Sequence, residues 1–178
     1  MKQPLKWIPL GVFLALIGLF ALGLLRDDTE SLPSARLGQI APPVVLTALG
    51  EKPLFAAEEL NGGGVKLVNF WANWCAPCRL EHPQLMALQA SGVPIYGINY
   101  KDPDERKALG FLAELGDPYE GVGADITGRA TAAEWGVYGI PETYVIDAKG
   151  VVRFRFAGPV TESILQSTIL PEIAAAAN

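Results

Sequence analysis

The segment Val65–Trp71, VKLVNFW, is rich in β-branched and aromatic residues, and it leads within four residues to Cys75-Ala76-Pro77-Cys78 and a helical stretch ending near Ala90. A run of this kind reads as a strand buried on both faces, which requires a sheet covered by helices. The two cysteines therefore sit at a strand–helix junction of an α/β domain. They are the only two cysteines among 178 residues, and His82 is the only histidine. That scarcity excludes a disulfide-dense scaffold, an all-cysteine zinc site and a histidine-based metal centre. No metal site is expected.

The spacing of the pair has a chemical reason. Two intervening residues let the sulfurs bond while keeping the disulfide small, accessible and exchangeable. At a helix N-terminus Cys75 meets unpaired amides and the positive end of the helix dipole, which stabilise a thiolate. Only the thiolate attacks a disulfide, and Cys78, one turn in, then acts second. Three other uses of the pair are weaker. A structural disulfide closing so short a loop stabilises little. A zinc site needs two further ligands, with only His82 on offer. A haem attachment site needs histidine where Arg79 stands. A redox-active pair is expected, with no cofactor beyond the disulfide.

The rest of the body completes the α/β pattern. Ile40–Leu60 holds Pro42-Pro43, the short apolar stretch Val44–Leu46 and a helical turn at Ala56–Leu60, and Asn61–Gly64 forces a turn. Pro83 should kink the helix that follows the cysteines. Val93–Tyr100 is a second buried strand. Asp102-Pro103-Asp104-Glu105 reads as a helix start with Asp102 as N-cap, Pro103 first and Glu105 third. Its apolar stripe includes Ala108, Phe111, Leu112 and Leu115. A short strand over Tyr119–Ala124 and a short helix over Gly128–Trp135 follow. Strands Glu142–Asp147 and Val151–Ala157 are joined by a tight hairpin at Ala148–Gly150. In the last strand Val152, Phe154 and Phe156 alternate with Val151, Arg153 and Arg155, giving one buried and one wet face. Thr161 caps a final helix ending near Pro171. The order is β-α-β-α-β-(α)-β-β-α, parallel units first and an antiparallel hairpin last.

Charge divides the chain. Lys2, Lys6 and Arg26 are the only charges before Asp27, so a net charge of −5 resolves into a positive start and a body of −8. Such a body lacks the basic footprint of nucleic-acid binding. Trp7–Leu25 is a run of 19 uncharged residues, spanning about 28 Å as a helix, close to bilayer thickness. Bases before it and acids after it favour a cytoplasmic N-terminus and an exported body. A signal peptide cleaved near Ala21-Leu22-Gly23 is the competing reading. Residues 1–26 are read as a retained membrane anchor, 27–39 as a linker and 40–178 as the folded domain.

The stretch Asn69–Cys78, NFWANWCAPC, with Pro83 beyond it, resembles the active-site strand and kinked helix of thioredoxins. More narrowly, Gly97–Asp102 (GINYKD), Leu115–Tyr119 (LGDPY) and Gly136–Thr143 (GVYGIPET) resemble the membrane-anchored thiol:disulfide interchange proteins of the DsbE (CcmG) type, used in cytochrome c maturation. The resemblance implies a thioredoxin-like three-layer sandwich with a mixed sheet, preceded by one transmembrane helix. It places the chain in the cell inner membrane as a single-pass protein, with its domain in the periplasm.

The resemblance also implies site roles. Cys75 and Cys78 are the exchanging pair, and Ile140–Pro141 is a cis bond beside them that opens the Ile140 backbone to an extended client. Trp74 belongs to the docking surface, and Tyr138 and Val137 line a groove. Asn69 is a departure, because thioredoxins carry a buried Asp there and Asn cannot exchange a proton. Glu142 is the expected substitute, as a carboxylate near the sulfurs. Glu81 is a weaker candidate, read as an exposed helix charge, while His82 and Trp71 are read as structural.

The implied activity is reduction of the disulfide of apocytochrome c, or of a maturation partner, to free thiols for haem attachment. Electrons come from a membrane thiol transporter. Two rivals remain: reduction of copper-site cysteines in oxidase assembly, and a non-catalytic docking module with a static disulfide.

Overall fold

The computed structural model describes residues 8–24 and 36–177. The expected anchor's charged flanks and most of the expected linker lie outside the described residues. Helix α1 (Ile8–Leu24) has 17 residues and belongs to the first of two units. Among the described residues no helix is long and apolar enough to cross a membrane.

The second unit holds strands β1 (Thr47–Ala48), β2 (Lys66–Trp71), β3 (Ile95–Tyr100), β4 (Gly121–Asp125), β5 (Glu142–Ile146) and β6 (Val152–Ala157) in one sheet ordered β1-β4-β3-β2-β5-β6. β2, β3 and β4 run parallel, while β1, β5 and β6 pair antiparallel. The sheet is therefore mixed, with the hairpin at one edge. β2 and β3 are buried at every position, as strands covered on both faces must be.

Two apolar layers flank the sheet. One joins Leu67, Trp71 and Val145 to α2 (Ala76–Ala90), α3 (Glu105–Leu115) and the C-terminal helix through Leu85, Phe111 and Ile169. The other joins Phe70, Ile98 and Tyr144 to Trp135 of α4 (Thr131–Trp135) and Leu60 of a 3-10 turn. Val137, expected to line a groove, is buried in this second layer.

Three expectations need correction. Asp104, not Asp102, caps α3 by accepting from Lys107 N, because the Asp102 carboxylate is taken by Asn73 and Asn99. The final helix does not stop at Pro171. α5 (Glu162–Ile164) passes through a π turn (Leu165–Ile169) into α6 (Leu170–Ala176), so Pro171 falls in a first turn, where its missing N–H is tolerated. Finally, β6 does not keep one wet face. Its register shifts opposite Val145 and Ile146, pairing Val145 with Phe154 but Ile146 with Val152. This bulge at Arg153 sends Val152 to one layer and Phe154 and Phe156 to the other. Arg155 consequently faces inward beside Tyr144, only 5 % exposed.

Candidate functional site

The disulfide forms the start of α2. Cys75 is the N-cap, Pro77 lies in the first turn, and Cys78 N donates to Cys75 Sγ at 3.1 Å. The sulfurs are bonded at 2.04 Å. Helix-terminal amides thus point at the first sulfur, an arrangement that favours a thiolate there once the bond is reduced. The pair is less accessible than its spacing implies: Cys75 is 3 % exposed and Cys78 1 %. Both belong to the apolar layer beneath, against which Ile140 packs.

Two residues before Cys75 are tied to the end of β3. Asn73 donates its backbone N–H to Asp102 Oδ2 at 2.8 Å and its amide to the other carboxylate oxygen. Asn99 adds a third donor at 3.1 Å. Trp74 Nε1 donates to the Lys101 carbonyl at 3.1 Å, and Lys101 has a left-handed backbone, φ +48°. A non-glycine residue at positive φ is uncommon, and here it aims a carbonyl at the indole. Trp74 itself stays 56 % exposed.

Beneath the pair lies a buried polar network. Glu81 is one turn after Cys78 on the buried stripe of α2 that continues through Leu85 and Leu88. Its carboxylate accepts from Asn69 Nδ2 at 2.9 Å and from Val160 N at 3.0 Å. Asn69 also donates to Thr143 Oγ1 and accepts from Tyr119 Oη at 2.8 Å. Burial pushes the Glu81 carboxyl up to about 7, against the two hydrogen bonds that favour its charge. Glu81 is therefore not an exposed helix charge but a fully buried carboxyl able to titrate near neutrality. His82, by contrast, bonds Gly116 O through Nε2, and burial lowers its pKa.

The Ile140–Pro141 bond is cis. It sits in a shallow groove of about 210 Å³ lined by Pro77, Tyr138, Ile140, Pro141, Ala157 and Pro159. Glu142, the next residue, also lines this groove; it is 1 % exposed and ion-paired with Arg155. Tyr144 Oη lies 2.5 Å from Glu142 Oε1. The Arg155 guanidinium also lies under the exposed Tyr138 ring, 4.9 Å from its centroid. A larger concavity of about 440 Å³, by Lys149 and Glu172, contains no cysteine.

A strand–CxxC–helix junction with a cis proline opposite is the geometry of a thiol-disulfide exchange site, and comparison with known proteins agrees. Residues 36–169 match the Redoxin family. The chain is 44 % identical to the thiol:disulfide interchange protein HelX of Rhodobacter capsulatus, covering all of both chains. It is 39 % identical to the thiol:disulfide interchange protein DsbE of Escherichia coli, covering 96 % of this chain and 94 % of that one. The chain belongs to the DsbE family. Among solved structures, a DsbE thiol:disulfide interchange protein from Chlorobium tepidum superposes with a TM-score of 0.64 at 28 % identity, covering 80 % of this chain and 98 % of that one. This DsbE-family protein is accordingly a thioredoxin-like thiol-disulfide oxidoreductase.

Ile140 packs on the layer that holds Cys75 and Cys78 and lines one groove with Pro77 and Pro141, and Trp74 and Tyr138 are exposed in this DsbE-family protein. Glu81 and Arg155, both expected at the surface, are buried, and Asp102 and Tyr119 hold Asn73 and Asn69. For Glu81 the signal was present: Cys78, Glu81, Leu85 and Leu88 recur at helical spacing, so this acid shares the buried face.

Proposed function

We propose that this protein is a membrane-anchored reductant of the periplasm, with Cys75 as nucleophile and Cys78 as resolving thiol. In the reduced state the Cys75 thiolate attacks a client disulfide, forming a Cys75–client bond and releasing one client thiolate. Cys78 then attacks Cys75 Sγ, the mixed disulfide breaks, and a second client thiol leaves. Two electrons pass to the client and the Cys75–Cys78 disulfide is left behind, to be reduced again by an incoming thiol pair of a membrane electron transporter.

The observation that carries the reading is the buried carboxyl of Glu81, hydrogen-bonded to Asn69 one turn below Cys78. With Asn69 in place of a proton-exchanging Asp, Glu81 takes the Cys78 proton during resolution and returns it on reduction. Its position near neutrality suits both directions. Glu142, held by Arg155 and Tyr144, instead supports the groove in which Tyr138, Ile140 and Pro141 receive an extended client segment, with Trp74 on the facing edge.

The client is the disulfide of apocytochrome c or of a maturation thiol protein, a reading supported by the DsbE-type motifs GINYKD and GVYGIPET. Anchoring rests on the uncharged run Trp7–Leu25 between basic and acidic flanks. The test is a trap. Cys78→Ala in the full chain should hold the client on Cys75 as a mixed disulfide, and mass spectrometry names it. Recovery of a copper chaperone with no cytochrome component refutes this client.

A further inference from the structure

We propose that Tyr119 is a positioning residue for the exchange reaction, because its hydroxyl decides which end of the Asn69 amide faces Glu81. The inference rests on the reading of Glu81 as proton carrier.

An amide side chain has an acceptor end and a donor end, and a buried one must satisfy both. Tyr119 Oη donates to Asn69 Oδ1 at 2.8 Å, so the acceptor end is committed to the phenol. The donor end is left for Glu81 Oε1 at 2.9 Å and Thr143 Oγ1 at 3.1 Å. Turned over, the amide would set its own oxygen against the carboxylate, two acceptors face to face, and Glu81 would hold its proton more tightly. One hydroxyl bond thus biases the charge of a carboxyl with which it makes no direct hydrogen bond. The phenol is a dependable donor, since burial, reinforced by the Glu81 and Asp117 charges, raises its pKa well above the usual value.

The placement of Tyr119 is built in. Its ring stacks on Trp71 at 5.7 Å between centroids, with 19° between planes. Gly97 makes room, for a Cβ there would lie 2.8 Å from Tyr119 Cγ. The groups around Glu81 come from every neighbouring element: Asn69 from β2, Thr143 from β5, the Val160 N–H before α5, Tyr119 before β4, and Cys78 on α2. Asp117, paired with Lys52, faces Tyr119, and His82 turns away to Gly116.

The test follows the Glu81 carboxyl carbon by NMR titration in the oxidised full chain, beside the pH profile of client release. Tyr119→Phe should move both midpoints upward by about one pH unit, the scale of one hydrogen bond to a charged group. The alkylation rate of reduced Cys75 should stay within about twofold. Without any substitution, the Asn69 side-chain amide protons should titrate with the Glu81 midpoint. Unmoved midpoints in Tyr119→Phe, or Asn69 protons blind to Glu81, overturn the inference. Glu81→Gln separates the two levels. If it abolishes the pH dependence of release while Tyr119→Phe changes nothing, only the role of Tyr119 falls. A wild-type profile in Glu81→Gln removes the proton-carrier reading and this inference with it.

Discussion

Arg155 and Glu142 form a buried ion pair, with side chains 4 % and 1 % exposed, on the two strands of the terminal hairpin. Their Cα partners are Tyr144 and Ala157, so the two side chains meet diagonally on one face. The pair joins the residue after the cis proline to the cation beneath Tyr138. Removing one charge strands the other in a low dielectric. Arg155→Met should cost about 3–5 kcal/mol in urea unfolding, and the double change Glu142→Gln with Arg155→Met should recover much of it. If the single and double variants are equally unstable, the pair is not what holds the hairpin.

Stability should depend on pH through Glu81. Its carboxyl lies at about 7 in the folded protein against an ordinary value of 4.5, so between those values the folded state binds more protons than the unfolded one. Stability is fully present below pH 4.5 and is lost as pH rises toward 7, by about 3 kcal/mol. Glu81→Gln should flatten this slope in the oxidised protein, measured by denaturant midpoints from pH 4 to 8. A slope that persists in Glu81→Gln assigns the effect to other groups.

Gly97→Ala should disturb the site from a distance. The added Cβ would enter the Tyr119 ring at 2.8–2.9 Å, and overpacking of this kind costs about 1–3 kcal/mol. Thermal melts should show the loss, and Tyr119→Leu in the same chain should restore part of it. No loss in Gly97→Ala would mean that the ring has room to move.

Asp102→Ala releases Asn73 and leaves its N–H without the carboxylate, an expected cost of about 1–3 kcal/mol. The exposed Trp74 ring, on the proposed docking surface, should loosen with it. The KM for a protein client should rise severalfold while reduction of a small disulfide changes less than about twofold. Equal effects on both substrates would place Asp102 in the chemistry of the sulfurs instead.

What could be read from the sequence was what local chemistry determines. The limits of α2 follow from the cysteines, Pro77 and the stripe through Leu85 and Leu88, and they match the expected Ala76–Ala90. β2 and β3 announce themselves as apolar runs because both faces are covered. Pro171 is the local exception, a proline that a first helical turn tolerates; the other failures are non-local. Val152–Phe156 alternates perfectly in sequence, and only the bulge at Arg153 turns Arg155 inward. Glu81 looked like solvent-facing charge because Asn69, its partner, lies on a neighbouring strand, and Tyr119, which orients that amide, follows α3. Periodicity marks Glu81 as lying on the buried face of α2, but not which polar partners the sheet brings to it.

The depth of the sulfurs sets terms of entry. Cys75 is 3 % exposed at the head of α2, so an incoming disulfide has to reach down to it, not merely collide with the surface. A disulfide held flat inside a folded protein lacks that reach, whereas one on an unfolded chain laid along Ile140 has it. Under the function proposed above, discrimination between clients becomes a matter of timing: chains not yet folded would be reduced and finished disulfides spared.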